Sequence, residues 1–140
     1  MPRKSSFVAL GAALLAVSGG PAHAAGTDQL TSSWANVNIC NSGQLGARAQ
    51  LAGDGSKDMM RVRFTAQWLS PDGWVPLVGQ ATSPWQDAGS AEFTWAQAGW
   101  TFNLAVPPTG VSYQLRAVAE MDLGSGRSST QTTGACVVGG

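Results

Sequence analysis

From Ala35 onward, apolar and polar residues alternate in short runs separated by clusters of Gly, Pro, Asp and Ser. A period of two is the signature of strands with one buried face. No stretch keeps a 3.6-residue period for three turns, so helices are not expected. Ala35, Val37 and Ile39 alternate with Asn36 and Asn38, predicting a first strand that ends at Cys40. Leu45, Ala47, Ala49 and Leu51 predict a second, with Arg48 and Gln50 on its other face. Gly53-Asp54-Gly55-Ser56 is a turn. Met60, Val62, Phe64, Ala66 and Trp68 form the clearest apolar face, with Arg61, Arg63, Thr65 and Gln67 opposite. Ser70-Pro71-Asp72-Gly73 reads as a hairpin turn, with Pro setting φ and Gly accepting a positive one. Residues 74–78 are the return strand.

Residues 79–90 look like loop, and Ala91, Phe93 and Trp95 allow a short strand. Trp100, Phe102, Leu104 and Val106 alternate until Pro107-Pro108-Thr109-Gly110 breaks the run. Val111, Tyr113, Leu115, Ala117, Ala119 and Met121 form another face, followed by the turn Gly124-Ser125-Gly126. Residues 128–138 predict a last, polar strand that carries Cys136. Seven or eight short strands at this spacing predict an all-β, two-sheet antiparallel sandwich.

The second half resembles a fibronectin type III or immunoglobulin-like domain. Tyr113 follows Leu104 and Pro107-Pro108 as a tyrosine corner would. Tyr113-Gln114-Leu115-Arg116-Ala117-Val118-Ala119, then Gly124, Gly126 and Ser128, look like that family's strand F, its FG loop and the start of strand G. Residues 64–74 look like its C–C′ hairpin. The resemblance covers roughly residues 45–136. It implies a two-sheet antiparallel sandwich. The family's tryptophan on strand B is missing, and Cys40 with Cys136 does not match a B–F bridge. No Arg-Gly-Asp tripeptide occurs. The chain is also similar to small secreted sandwich proteins of high-GC bacteria.

The first two dozen residues change the picture of compartment. Arg3 and Lys4, an apolar run over residues 7–17, and Ala22-His23-Ala24 follow the order of a secretory signal peptide cut after Ala24. That leaves residues 25–140 as one secreted domain. Its remaining runs are too short to span a bilayer as a helix, so no membrane insertion is expected. Six basic residues remain against eight acidic ones. That balance argues against nucleic acid, which demands a basic face.

Cys40 and Cys136 are the only cysteines. An even pair in an oxidising compartment reads as a disulfide, with free thiols or an intermolecular bridge as the rival readings. The loop closed would hold about 97 residues, for which chain entropy allows up to about 4.7 kcal/mol.

The one histidine, His23, leaves with the leader. Without imidazole and with both sulfurs bridged, Ser-His-Asp and Cys-His catalysis and His-based zinc sites are unavailable. Glu120 with Asp122, and Asp87 with Glu92, are the remaining carboxylate pairs for acid–base work, or simply solvated side chains. Asp54-Gly55-Ser56-Lys57-Asp58 begins like a calcium loop, but Met59 and Thr65 stand where Gly and Glu belong, and a polar turn explains it equally.

Six tryptophans remain for contact or core. Trp68 and Trp100 share parity with core positions. Trp34, Trp74, Trp85 and Trp95 either stack on sugars or partner surfaces, or cover the ends of the sandwich. Arg61, Arg63 and Arg116 should share one outward face among Gln67, Gln114 and Glu120. That face is either a surface for an acidic partner or an ordinary solvated one. The expectation is a non-enzymatic secreted sandwich with a structural or protein-binding role and no cofactor or metal. Its candidate contact surface is Arg61, Arg63, Arg116, Trp74 and Trp85, and its partner is an extracellular protein or glycan. A carbohydrate- or envelope-binding module is one alternative, and a small carboxylate-based hydrolase is another.

Overall fold

The computed structural model describes residues 32–140. The expected leader and its cleavage point lie outside the described residues, as do residues 25–31. Nine strands follow in order: β1 (Trp34–Asn41), β2 (Gln44–Ala52), β3 (Met59–Ser70), β4 (Gly73–Pro76), β5 (Gln86–Ser90), β6 (Trp95–Asn103), β7 (Ser112–Gly124), β8 (Arg127–Thr132) and β9 (Cys136–Gly139). Every pairing is antiparallel. The small sheet is β1–β2–β6. The large sheet is built on β3 and β7. Along the free edge of β3 lie β4 and β5, one at each end; β9 and β8 do the same along β7. Ser32–Gly140 forms one compact unit.

Alternation puts the core where the sequence predicts it. Strand β3 buries Met60, Val62, Phe64 and Ala66, and β7 buries Leu115, Ala117, Ala119, Met121 and Leu123. From the small sheet come Leu45, Ala47, Ala49, Leu51 and Phe102. Small alanines on both facing layers leave room for the few large side chains, of which Phe64 is wholly buried. Burying a side chain of that size stabilises by about 1.5–3 kcal/mol.

Three local expectations are corrected. Residues 86–90 form β5 although Asp, Gly and Ser disfavour strands, because the Met59–Val62 edge of β3 offers them partners. The stretch around Ala91 and Phe93 is instead the β5–β6 turn, and β6 starts at Trp95 and ends before Leu104. The single last strand is two, β8 and β9.

The physical cause of that break is a buried hydroxyl. Thr133 donates its N–H to the Ala117 carbonyl, and the Ala117 N–H donates to Thr133 Oγ1 at 3.0 Å. The side chain takes the place of a ladder carbonyl, and the chain leaves the strand. Ser83 does the same on the other edge: its N–H donates to the Phe64 carbonyl, and the Phe64 N–H donates to Ser83 Oγ at 2.9 Å. Both hydroxyls then donate onward, to the carbonyls of Gly134 and Pro84. Each junction thus stays satisfied inside the protein.

The two ends of the sandwich differ. At one, the 53–58 loop is stitched across: Gly53 N–H donates to Thr94 O, Gly55 N–H to Ala91 O, and Ala91 N–H to Asp58 O. Ser125 Oγ donates to Asp58 Oδ2, and Arg127 pairs with Asp54 at 3.2 Å while donating to the carbonyls of Ala52 and Leu123. At the other end, the sheets part and leave a cleft of about 980 Å³. One side of this open end is held by the disulfide Cys40–Cys136, which joins β1 of the small sheet to β9 of the large one with Cα atoms 6.5 Å apart.

Replacing both Cys40 and Cys136 by Ala should cost about 2–5 kcal/mol. Urea denaturation against the oxidised wild type checks this; equal midpoints would contradict it. Ser83→Ala and Thr133→Val each strand a buried amide and should cost about 1–3 kcal/mol, read the same way. The hydrogen bond from Ser56 N–H, then the Ser56 hydroxyl and nearby Arg127, hold the Asp54 carboxyl below its ordinary value of 3.8. A depressed folded-state pKa stabilises the fold above the unfolded value, and that contribution fades as pH falls through the folded one. The advantage of wild type over Asp54→Asn should therefore be present at about pH 6 and shrink at about pH 2.5.

Candidate functional site

The outward face of the large sheet follows from one register. Arg61 pairs with Asp122, Arg63 with Glu120, Thr65 with Val118, and Gln67 with Arg116. These positions alternate with the buried ones, so all eight side chains emerge on the same side. The three arginines expected on one face do share it.

Two tryptophans join them. Trp85 stands one residue before Gln86, which pairs with Val62, so it comes up beside Arg63. The guanidinium of Arg63 lies over its ring at 4.7 Å and that of Arg61 at 5.8 Å. Trp74 pairs with Leu69 in the β3–β4 hairpin and carries Arg116 over its ring at 4.3 Å. Each exposed pair of this kind is worth about 0.5–1 kcal/mol. A shallow hollow beside Trp85, about 370 Å³, is lined by Glu120, Asp122, Ser128 and Thr130 among others.

Charge on this face is largely compensated. Arg63 donates through Nε to Glu120 Oε1 at 3.1 Å, and Arg61 pairs with Asp122 at 3.5 Å. Arg116 has a neutral partner, donating through Nε to Gln67 Oε1 at 2.8 Å. Such half-exposed ion pairs add little stability, but they fix the direction of each guanidinium. Of the three arginines on this face, Arg116 is the one without a carboxylate against it among the described residues. Across the sheet, Glu120 and Asp122 stand where they neutralise Arg63 and Arg61. Gln114 lies farther along the face, opposite Val137 in β9.

The other candidates take structural positions. Asp54 Oδ1 accepts the Ser56 N–H and Asp58 Oδ2 accepts the Ser125 hydroxyl, so both carboxylates of the calcium-like loop serve the closed end. Glu92 accepts the Ser90 hydroxyl in the β5–β6 turn, and Asp87 pairs with Arg61 in register. Trp95 and Phe93 are exposed near that turn, while Trp68 and Trp100 are half-buried against the core. Tyr113 meets Trp68 edge-on at 5.7 Å. No hydrogen bond of its hydroxyl is found among the described residues, so it does not make a corner's backbone bond. No helix among the described residues is long and apolar enough to cross a membrane.

The contribution of Trp85 to the arginine pair, and the cleft at the open end, were not readable from spacing. A turn sequence hides which strand it will lie against. The run Ser83-Pro84-Trp85 after a hairpin is the one signal that an aromatic returns to the sheet.

No protein-family model and no curated protein matches the chain. Among solved structures, it is similar to Spo0M, the sporulation control protein of Bacillus subtilis, at 12% identity and a TM-score of 0.41, covering 78% of this chain and 50% of that one. A putative beta-galactosidase of Bacteroides fragilis matches at 12% identity and 0.43, over 79% of this chain and 16% of that one. Self-complemented MyfA, the major subunit of Myf fimbriae from Yersinia enterocolitica, matches at 20% identity and 0.40, over 78% and 98%. The chain thus spans half of Spo0M and a much smaller share of the galactosidase.

Proposed function

We propose that this is a secreted, non-enzymatic protein that binds another protein through the outward face of its large sheet. The reading is carried by the Arg63–Trp85 and Arg116–Trp74 stacks on that face. Arg and Trp are the residue types that dominate binding energy at interfaces. Here their conformations are already set by stacking and by Glu120, Asp122 and Gln67, so little ordering cost remains on binding. Guanidinium groups over the rings reduce the aromatic face open to a sugar, which favours a protein over a glycan. The signal-peptide pattern of residues 1–24 and the Cys40–Cys136 bond support the extracellular compartment. The hairpins β3–β4 and β7–β8 support a fibronectin III-like or immunoglobulin-like kind of sandwich, since they fall where that resemblance puts them.

Affinity capture from the producing culture tests the reading. Wild-type protein should retain a partner protein, and the double variants Arg63→Ala/Trp85→Ala and Arg116→Ala/Trp74→Ala should retain less. Arg48→Ala, on the small sheet, should behave as wild type. Equal retention by all forms would refute the assignment of this face. Retention on insoluble polysaccharide, lost in the same variants, would move the partner to the glycan class.

A further inference from the structure

The open end of the sandwich holds a cleft away from the arginine face. Its cleft of about 980 Å³ lies between the two sheets. Trp68, Leu115, Tyr113 and Val138 line it from the large sheet, and Trp100 and Phe102 from the small one. No Asp, Glu, Lys or Arg lines it. A charge placed there would lose its hydration without gaining a partner. Gln80, Thr82, Ser83, Thr101 and Asn103 also line it, so the cleft suits an uncharged occupant that sets apolar side chains against the aromatic walls and polar groups against these residues.

One wall of the cleft is the edge of β6 that faces away from β2. Leu104 N–H donates to Gly43 O, and Thr94 O accepts from Gly53 N–H. With the β2–β6 register, these bonds show that the even-numbered residues of β6 direct their backbone groups toward β2. Gly99, Thr101 and Asn103 direct theirs away from it. Among the described residues, no strand pairs with that edge. Thr101 and Asn103 are exposed and line the cleft. A row of free N–H and C=O groups beside an apolar slot is the arrangement that captures an extended chain.

We infer that the cleft is a peptide-binding groove that takes an extended, uncharged, apolar segment of another polypeptide. The segment adds to β6 as a strand, pairing with the backbone of Thr101 and Asn103. Its alternate side chains enter the cleft against Trp100, Phe102 and Trp68. A compact apolar molecule would fill the space but leave the backbone edge unused.

The probe is an end-capped, uncharged heptapeptide of alternating valine and threonine, titrated into the full domain and followed by amide NMR. Saturable shifts and slowed exchange at Thr101 and Asn103 are expected. The same peptide with alternate backbone nitrogens methylated should bind about tenfold or more weakly. Thr101→Pro removes a free-edge donor while sparing the bonds to β2, and Ala105→Trp fills the exposed mouth. Both should abolish binding, and Arg63→Ala/Trp85→Ala should leave it intact, which separates this site from the face of the large sheet. If Thr101→Pro fails to fold, Ala105→Trp and the methylated peptide still decide. Equal binding of the methylated peptide, equal binding of a lysine-containing one, or no shift at Thr101 and Asn103 would overturn the inference. So would a concentration-dependent dimer that occludes the same amides.

Discussion

The antiparallel pairing of β3 with β7 is the constraint on which the rest depends. Its register runs unbroken from Arg61 opposite Asp122 to Trp68 opposite Leu115. One side of this ribbon supplies most of the large-sheet core and the other supplies the arginine face. A slip of one residue would exchange the two sides, burying guanidinium groups and exposing Phe64. The cost of that exchange specifies the register far more strongly than backbone hydrogen bonds alone, which a slipped pairing could partly reform.

Both central strands are longer than any neighbour, and this creates the next problem. A single edge strand along each would need two long apolar-polar alternations that the sequence lacks. The protein instead uses two short strands per edge and places a buried hydroxyl at each junction, Ser83 on one side and Thr133 on the other. The junctions release the chain from the edge without orphaning the central amides. On the β3 side, the chain leaves the edge at Val78, rejoins it at Ala81–Ser83 and runs on as Pro84-Trp85. It therefore builds a wall of the cleft and delivers the aromatic ring to the arginine face. Both candidate sites thus arise from one detour.

Positions with strict alternation were legible in the sequence. Leu45 to Leu51, Met60 to Trp68 and Leu115 to Met121 declare strand and buried face together, and they make the core. The common face of Arg61, Arg63 and Arg116 followed from parity and from expecting their strands to be neighbours. Residues 86–90 were not legible, because their strand character comes from the vacant edge of β3 rather than from their own side chains. The division of the last strand was hidden for a related reason: a threonine in a strand is ordinary, and only burial shows Thr133 replacing a carbonyl. Neutralisation of Arg61 and Arg63 needed the exact cross-strand pairing, since a shift of two residues keeps every face but changes each partner.

The covalent tie between Cys40 and Cys136 encloses seven of the nine described strands, from β2 to β8. A pull applied to the chain outside the two cysteines passes through the sulfurs and bypasses everything between them. About 330 Å of contour length stays locked away from the load until the bond is reduced. Under oxidising conditions, the central ribbon and the arginine face are thus insulated from tension, and only the ends of β1 and β9 outside the cysteines can be peeled, the latter taking Val138 out of the cleft wall.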